Sequence, residues 1–178
     1  MATTFEETQS YTPGRQKPLS DFLRPAMAPL PLFVIQPVLG RIVRHVARTR
    51  PELFSRIGPH KDKLFLIDPV NLPFALILRA HPDSPSLKAY RRRKLPPTDA
   101  RIAGTFLTLL DMIDGRLDGD ALFFTRALRV EGDTEAVVCL RNALDDLEGS
   151  VAEDTADLFG PPGRRALKVL RKIRSHER

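Results

Sequence analysis

Cysteine is nearly absent from this chain, with one residue, Cys139, in 178. A single thiol excludes an internal disulfide and any zinc or iron–sulfur site built from several cysteines. Cys139 falls within an amphipathic stretch, where a small buried thiol is the ordinary role. Tryptophan is missing and only two tyrosines occur; Tyr90 stands alone beside the basic run 91–94, so no aromatic-stacking platform of the RNA-reading kind accompanies it. Long apolar runs are missing as well. The longest, Ala26–Gly40, is broken by Pro29, Pro31 and Pro37 and falls short of the ~20 apolar residues that span a bilayer. Residues 1–23 carry Glu6, Glu7 and Asp21 and no apolar leader, which points to a cytoplasmic protein. No G-x-S-x-G, P-loop or G-x-G-x-x-G is present.

The remaining candidates for chemistry are thin. His45, His60, His81 and His176 share no metal-ligand spacing and read as solvated or locally bonded side chains. Asp111, Asp114, Asp118 and Asp120 lack the one-three-five register of a calcium loop, and read as solvated helix ends and turns. Asp145-Asp146 has no second aspartate pair to share a magnesium ion. Ser84, Ser86 and Ser150 have no His/Asp company, so nucleophilic catalysis has no support.

Charge, by contrast, is strongly patterned beneath the net +6. Residues 24–63 hold eight Lys/Arg against two acids, residues 79–101 seven against two, and residues 161–178 seven against one. Residues 116–160 reverse this, with eleven acids and four arginines. Basic blocks of this kind suit an anionic surface, lipid or nucleic acid. The densest run, Arg91-Arg92-Arg93-Lys94, is most simply a solvated strand end.

Residues 1–23 read as a flexible arm. A helix follows over Pro37–Arg50, with Pro37 in its first turn, Val38, Leu39, Ile42, Val43 and Val46 on one side, and Arg41, Arg44 and Arg48 on the other. Pro51–Ile57 adds one or two turns. Short β-compatible runs cover Lys63–Asp68, Leu72–Ala80, Ser86–Arg93 and Asp99–Thr105, with Leu72, Phe74, Leu76 and Leu78 sharing one face of the second. Phe106, Leu109, Leu110 and Ile113 at i, i+3, i+4 and i+7 predict a helix over Phe106–Asp114. Arg126–Glu131 reads as the last strand. Helices follow at Thr134–Leu147, from Ser150 (capped with Glu153) to Phe159, and at Arg164–Arg174, with Gly160-Pro161-Pro162-Gly163 as the stop between the last two. This is an α+β plan, an antiparallel sheet covered by helices.

Asp120, Leu122, Phe123, Phe124, Arg126, Leu128 and Glu131-Gly132-Asp133-Thr134-Glu135 form the pattern D-x-LFF-x-R-x-L-x-x-EGDTE. With Asp99–Thr105 and the helix carrying Leu109-Leu110, this segment resembles the sterol-carrier-protein type-two (SCP-2) superfamily. It is most similar to the bacterial accessory factors of anaerobic ubiquinone biosynthesis, of the UbiT kind. The likeness covers about residues 61–148; the arm, the arginine run and the basic C-terminal helix lie outside what the pattern implies. Gly132 suits a tight turn, Asp133 or Thr134 an N-cap, and Glu135 the first helical turn.

The resemblance implies a non-catalytic lipid-binding protein without cofactor or metal, with an SCP-2-like domain at 61–149; composition and periodicity add an arm (1–23), a helical segment (24–60) and C-terminal helices (150–178). Its ligand would be an isoprenoid quinone intermediate or a phospholipid, held by Leu72, Phe74, Phe106, Leu109, Leu110, Ile113, Phe123, Phe124, Leu128, Leu140 and Leu144. Its partners would be the peptidase-like iron–sulfur hydroxylation factors of that pathway. The last helix sets Ala166, Val169, Leu170 and Ile173 among Arg164, Arg165, Lys168, Arg171 and Lys172, which suits either an anionic inner-membrane surface or docking on the protein's own core. A general acyl carrier is the nearest rival and a nucleic-acid-binding module the farthest. Steep loss of affinity with salt would mark the last, and burial of a prenyl tail would not show it.

Overall fold

A computed structural model describes residues 31–114, 128–147 and 149–176. Helix α1 (Leu32–Thr49) begins five residues earlier than its sequence predicts, so Pro37 lies inside it and not in its first turn. The missing proline N–H costs one helical bond, but Leu32, Ile35 and Leu39 bring the extra turns onto an apolar cluster with Leu72, Phe74 and Ala89. Val43 and Val46 are buried further along, and Arg41, Arg44 and Arg48 face outward. Pro51 opens α2 (Pro51–Arg56), which buries Leu53 and Phe54 and runs into a single tight turn, Gly58–His60.

Five strands follow the α+β plan: β1 (Leu64–Pro69), β2 (Phe74–Arg79), β3 (Ser86–Arg91), β4 (Ala100–Gly104) and β5 (Arg129–Gly132). Their order is β3-β2-β1-β4-β5. Three neighbouring pairs are antiparallel, but β1 and β4 run parallel, with Ile67 opposite Ile102, so the sheet is mixed and not wholly antiparallel. The physical reason is the route of the chain. From the β3 edge, residues 92–99 cross the outer face of the sheet over β2 and β1 before entering β4. Leu95 packs there beside Leu66, Ala75, Ile77 and Tyr90.

That crossing explains part of the arginine run. Arg91, Arg93 and Lys94 are exposed, but Arg92 is a strap. Its guanidinium donates to the carbonyls of Leu72 (3.0 Å) and Pro69 (2.6 Å) and pairs with Asp68 at 2.6 Å. Arg101 reaches the same buried Asp68 from β4, at 2.6 Å, and Glu131 of β5 at 2.7 Å. Its own pKa is raised, first by the hydrogen bond to Asp68. At the opposite edge the Gln36 side chain takes both peptide groups of Ala89, donating to its carbonyl at 2.7 Å and accepting from its N–H at 3.2 Å.

The inner face carries the helices. α3 (Phe106–Asp114) matches its predicted span. Its start is fixed by the Thr105 hydroxyl, which accepts from Thr108 N–H, and by Asn71, which accepts from Phe106 N–H at 2.8 Å. α4 (Thr134–Asp145) is capped by Asp133, which accepts from Ala136 N–H at 2.9 Å. Gly132 turns the chain into it at φ +80°, where a Cβ would collide with the Asp99 carbonyl. Cys139 is half-buried, its thiol directed at the Arg56 and Ile57 carbonyls. Ser150 caps α5 (Val151–Leu158) as its sequence predicts, accepting from Glu153 N–H. α6 (Gly160–His176) differs: Gly160-Pro161-Pro162-Gly163 forms its first turn, where prolines without N–H groups cost nothing. Gly163 then lets α6 approach α5 so closely that a Cβ would strike the Ala156 carbonyl.

Candidate functional site

Between the inner face and this cover lies a cavity of about 450 Å³. Ile67, Pro69, Leu76, Leu78 and Leu87 form its floor, and Ile42, Val43 and Val46 of α1 one wall. α2, α3 and α4 contribute Phe54, Leu109, Met112 and Leu140 among others, and α5 and α6 complete the enclosure. Among the described residues Thr155 is the one polar side chain in the lining. The lining is graded in depth. Ile57 and Ala80 are sealed at 0% and 1% exposure, whereas Phe159 is 37% exposed and Ala166 open to solvent. The mouth therefore lies at the α5–α6 corner.

Energetics make this space informative. Empty core volume costs ~24 cal/mol per Å³, so a closed void of this size would cost on the order of 10 kcal/mol, comparable with a domain's whole stability. Packing alone would fill it with larger side chains. The volume falls in the ~300–1,000 Å³ range of small-molecule pockets, and the described walls, almost wholly apolar, can dissolve hydrocarbon. Among the described residues no three His, Cys, Asp or Glu side chains converge on a metal-sized site.

The structure brings six expected residues, Phe106, Leu109, Leu110, Ile113, Leu140 and Leu144, to this lining. Leu72 and Phe74 are not among them. They share the sheet face but lie beyond the cavity, against Leu39 and Ala89. Leu128 is packed in the main core and also misses the lining. Phe123 and Phe124 lie outside the described residues. Sequence reasoning missed the wall from α1 and the whole contribution of α5, although the apolar stripe Ile42, Val43, Val46 was visible.

Two other expectations change. His60 is buried, not solvated, at 7% exposure. Asp111 and Asp114 are buried as well, because the end of α3 lies under the C-terminal helices. The Asp114 carboxylate accepts from Arg171 Nε (3.0 Å) and Nη2 (2.6 Å), and from the Ser150 hydroxyl. The first of these bonds raises the Arg171 pKa. Arg171 thus faces the protein and leaves the cationic set proposed for a membrane, while Arg164, Arg165, Lys168 and Lys172 are exposed. α6 docks on the core through Leu167, with Leu170 in the cavity wall, and Val169 points outward at 56% exposure.

The sequence profile of the SCP-2 sterol transfer family matches residues 45–145, more than half of the chain. The chain belongs to the SCP-2 sterol transfer family. Its matched segment begins within α1 and ends with α4. Among solved structures, a UbiJ-SCP2 ubiquinone synthesis protein aligns with a TM-score of 0.47 at 19% identity, over 66% of this chain and 90% of that one. Apo sterol carrier protein 2 from Yarrowia lipolytica aligns at 0.42 and 14% identity, over 62% and 87%. A sec-alkylsulfatase from Pseudomonas sp. aligns at 0.42 and 17%, over 53% of this SCP-2 chain and 14% of the sulfatase. A search of curated proteins returned no match. Among the described residues no helix of this SCP-2 protein is long and apolar enough to cross a membrane.

Proposed function

We propose that this SCP-2 protein carries one apolar lipid in its cavity, tail inward and head group at the α5–α6 mouth, and that the lipid is a polyprenylated quinone precursor of oxygen-independent ubiquinone synthesis. The cavity carries the reading. Among the described residues its deep end is lined by hydrocarbon alone, and burying an unpartnered polar group costs ~1–3 kcal/mol or more, so an inserted ligand leads with its hydrocarbon. Each buried CH₂ contributes ~0.8 kcal/mol, which favours a long tail. The pathway rests on the resemblance of Asp120–Glu135 to the anaerobic accessory factors. On that basis, the peptidase-like iron–sulfur hydroxylation factors would meet the head group at the mouth. The exposed cations of α6, Arg165 and Lys168 among them, would draw the protein to an anionic bilayer.

The test is organic extraction and mass spectrometry of protein purified from a ubiquinone-producing host. A prenylated quinone precursor, up to one per chain, is the expected result. Phospholipid or fatty acid alone would replace the quinone reading with a general acyl carrier. No lipid, together with no binding of added prenylated quinone, would remove the carrier reading altogether. Co-sedimentation with anionic vesicles, lost in Arg165→Glu/Lys168→Glu, checks the membrane contact.

A further inference from the structure

The family match stops at residue 145, but the cavity does not. α5, α6 and Phe159 between them lie wholly beyond the matched segment and supply nine of the 28 described lining residues, with Phe159 and Ala166 at the mouth. Their apolar hold on the remainder of the fold is limited: Ala152, Ala156 and Leu167 pack with Leu110 and Ile113, and Val151 touches the main core. The Thr155 side chain faces the open space, where it lacks the dispersion contacts that a filled core would provide.

What fastens the two helices is polar. At the end of α3 the Asp114 side chain is fully buried, and it takes the Arg171 fork from α6 and the Ser150 hydroxyl from the start of α5. Arg50, just after α1, holds Asp154 of α5 at 2.8 Å. Within the hairpin, Arg171 binds Glu153 at 2.8 Å, and Gly163 seats α6 on α5. The two helices are thus joined to each other more closely than to the domain. Gly149, at φ +91°, stands at the joint before α5.

We propose that α5 and α6 form a lid on the cavity, that the Asp114 carboxylate is its latch, and that ligand enters and leaves when Arg171 and Ser150 release it. The proposal rests on the carrier reading above and adds the route. Parting a guanidinium from a buried carboxylate is costly in low dielectric, so intermediate separations of the pair are disfavoured. Closed and open lids are therefore two discrete states, as packed interfaces that switch require. Segments with few buried apolar contacts are also the ones that open below the threshold of global unfolding.

Hydrogen exchange on the unmodified full chain tests the opening. Amides of residues 151–172 should exchange as one unit, at least ~100-fold faster than those of β1, β2 and β4. If they exchange only together with the strands, α5 and α6 are core and the lid is refuted. Stopped-flow release of cis-parinaric acid, a fluorescent fatty acid, tests the route. Arg171→Met, and separately the milder Ser150→Ala, should speed both uptake and release by about tenfold or more while the dissociation constant changes less. Strand amides should be unaffected in both. Unchanged rates with faster exchange at 151–172 would show that the ligand uses another door and overturn the latch. Absence of any parinaric acid binding would overturn the carrier reading and the gate with it, while the exchange data would still decide whether the hairpin opens.

Discussion

One sheet separates two apolar layers that are finished differently. On the outer face Leu66, Ala75 and Ile77 are covered by a single crossing of chain, and the layer is closed by Leu95 and by the charges of Asp68, Arg92 and Arg101. On the inner face the described helices cover the strands and still leave about 450 Å³ unfilled. Little cover with tight closure stands against abundant cover with open space. The amount of apolar sequence therefore does not decide where a fold is solid. What decides it is whether facing side chains are large enough to meet, and here Ala80, Ala152, Ala156, Gly163 and Ala166 line the inner space.

The largest expected effect lies on the closed side. Asp68→Ala leaves two guanidiniums aimed at a site they shared, and loss of one member of a buried pair costs ~3–5 kcal/mol. Arg92 and Arg101 are about one-third exposed, so solvent recovers part of this and about 3 kcal/mol is expected from denaturant titration. A loss under about 1 kcal/mol would show that the crossing holds without its charges.

Adjacent residues of β2 give the sharpest contrast. Ile77 faces the closed layer and Leu76 the cavity. Ile77→Trp should overpack and cost ~1–3 kcal/mol, with ligand binding retained. Leu76→Trp should move the melting temperature little, because open space accepts the ring, and should abolish ligand binding. Equal destabilisation by both would mean that the inner face is as solid as the outer.

The smallest effect lies at the rim. Lys63 pairs with Asp133, which also caps α4; the lysine bond is the first cause of the lowered Asp133 pKa, and the same bond raises that of Lys63. The carboxylate's contribution is present above its unfolded value of 3.8 and is lost as pH falls through the lower folded value. The lysine's contribution is present below 10.5 and is lost as pH rises through its higher folded value. Both side chains are half-buried and still reached by solvent, at 32% and 26% exposure, so the effect is small and salt-sensitive. In Lys63→Met the melting temperature should fall less below pH 4 than in the parent, and the difference should shrink in high salt. An identical acid limb in both proteins would remove the pair from the account.

Local pattern made much of this legible. The spacing of Phe106, Leu109, Leu110 and Ile113 defines α3, Ser150 and Glu153 mark the start of α5, and Gly132-Asp133 the start of α4. What stayed hidden is what distance along the chain decides. The parallel β1–β4 pairing depends on a crossing that no window of sequence contains. Alternation in β2 assigned Phe74 and Leu76 to one face correctly, yet only tertiary packing separates the one against Leu39 from the one over the cavity. Arg171 looked like its solvent-facing neighbours because its partner, Asp114, is 57 residues away.

The Gln36 amide has a consequence for life in crowded company. β3 is an outermost strand, and the unpaired peptide groups of such a strand invite a neighbouring copy to add itself, then another. Gln36 occupies the Ala89 pair from above, as a strand residue would, and α1 shields the adjoining length. With that hydrogen-bonding position already filled, crowding does not turn into fibre growth from this edge.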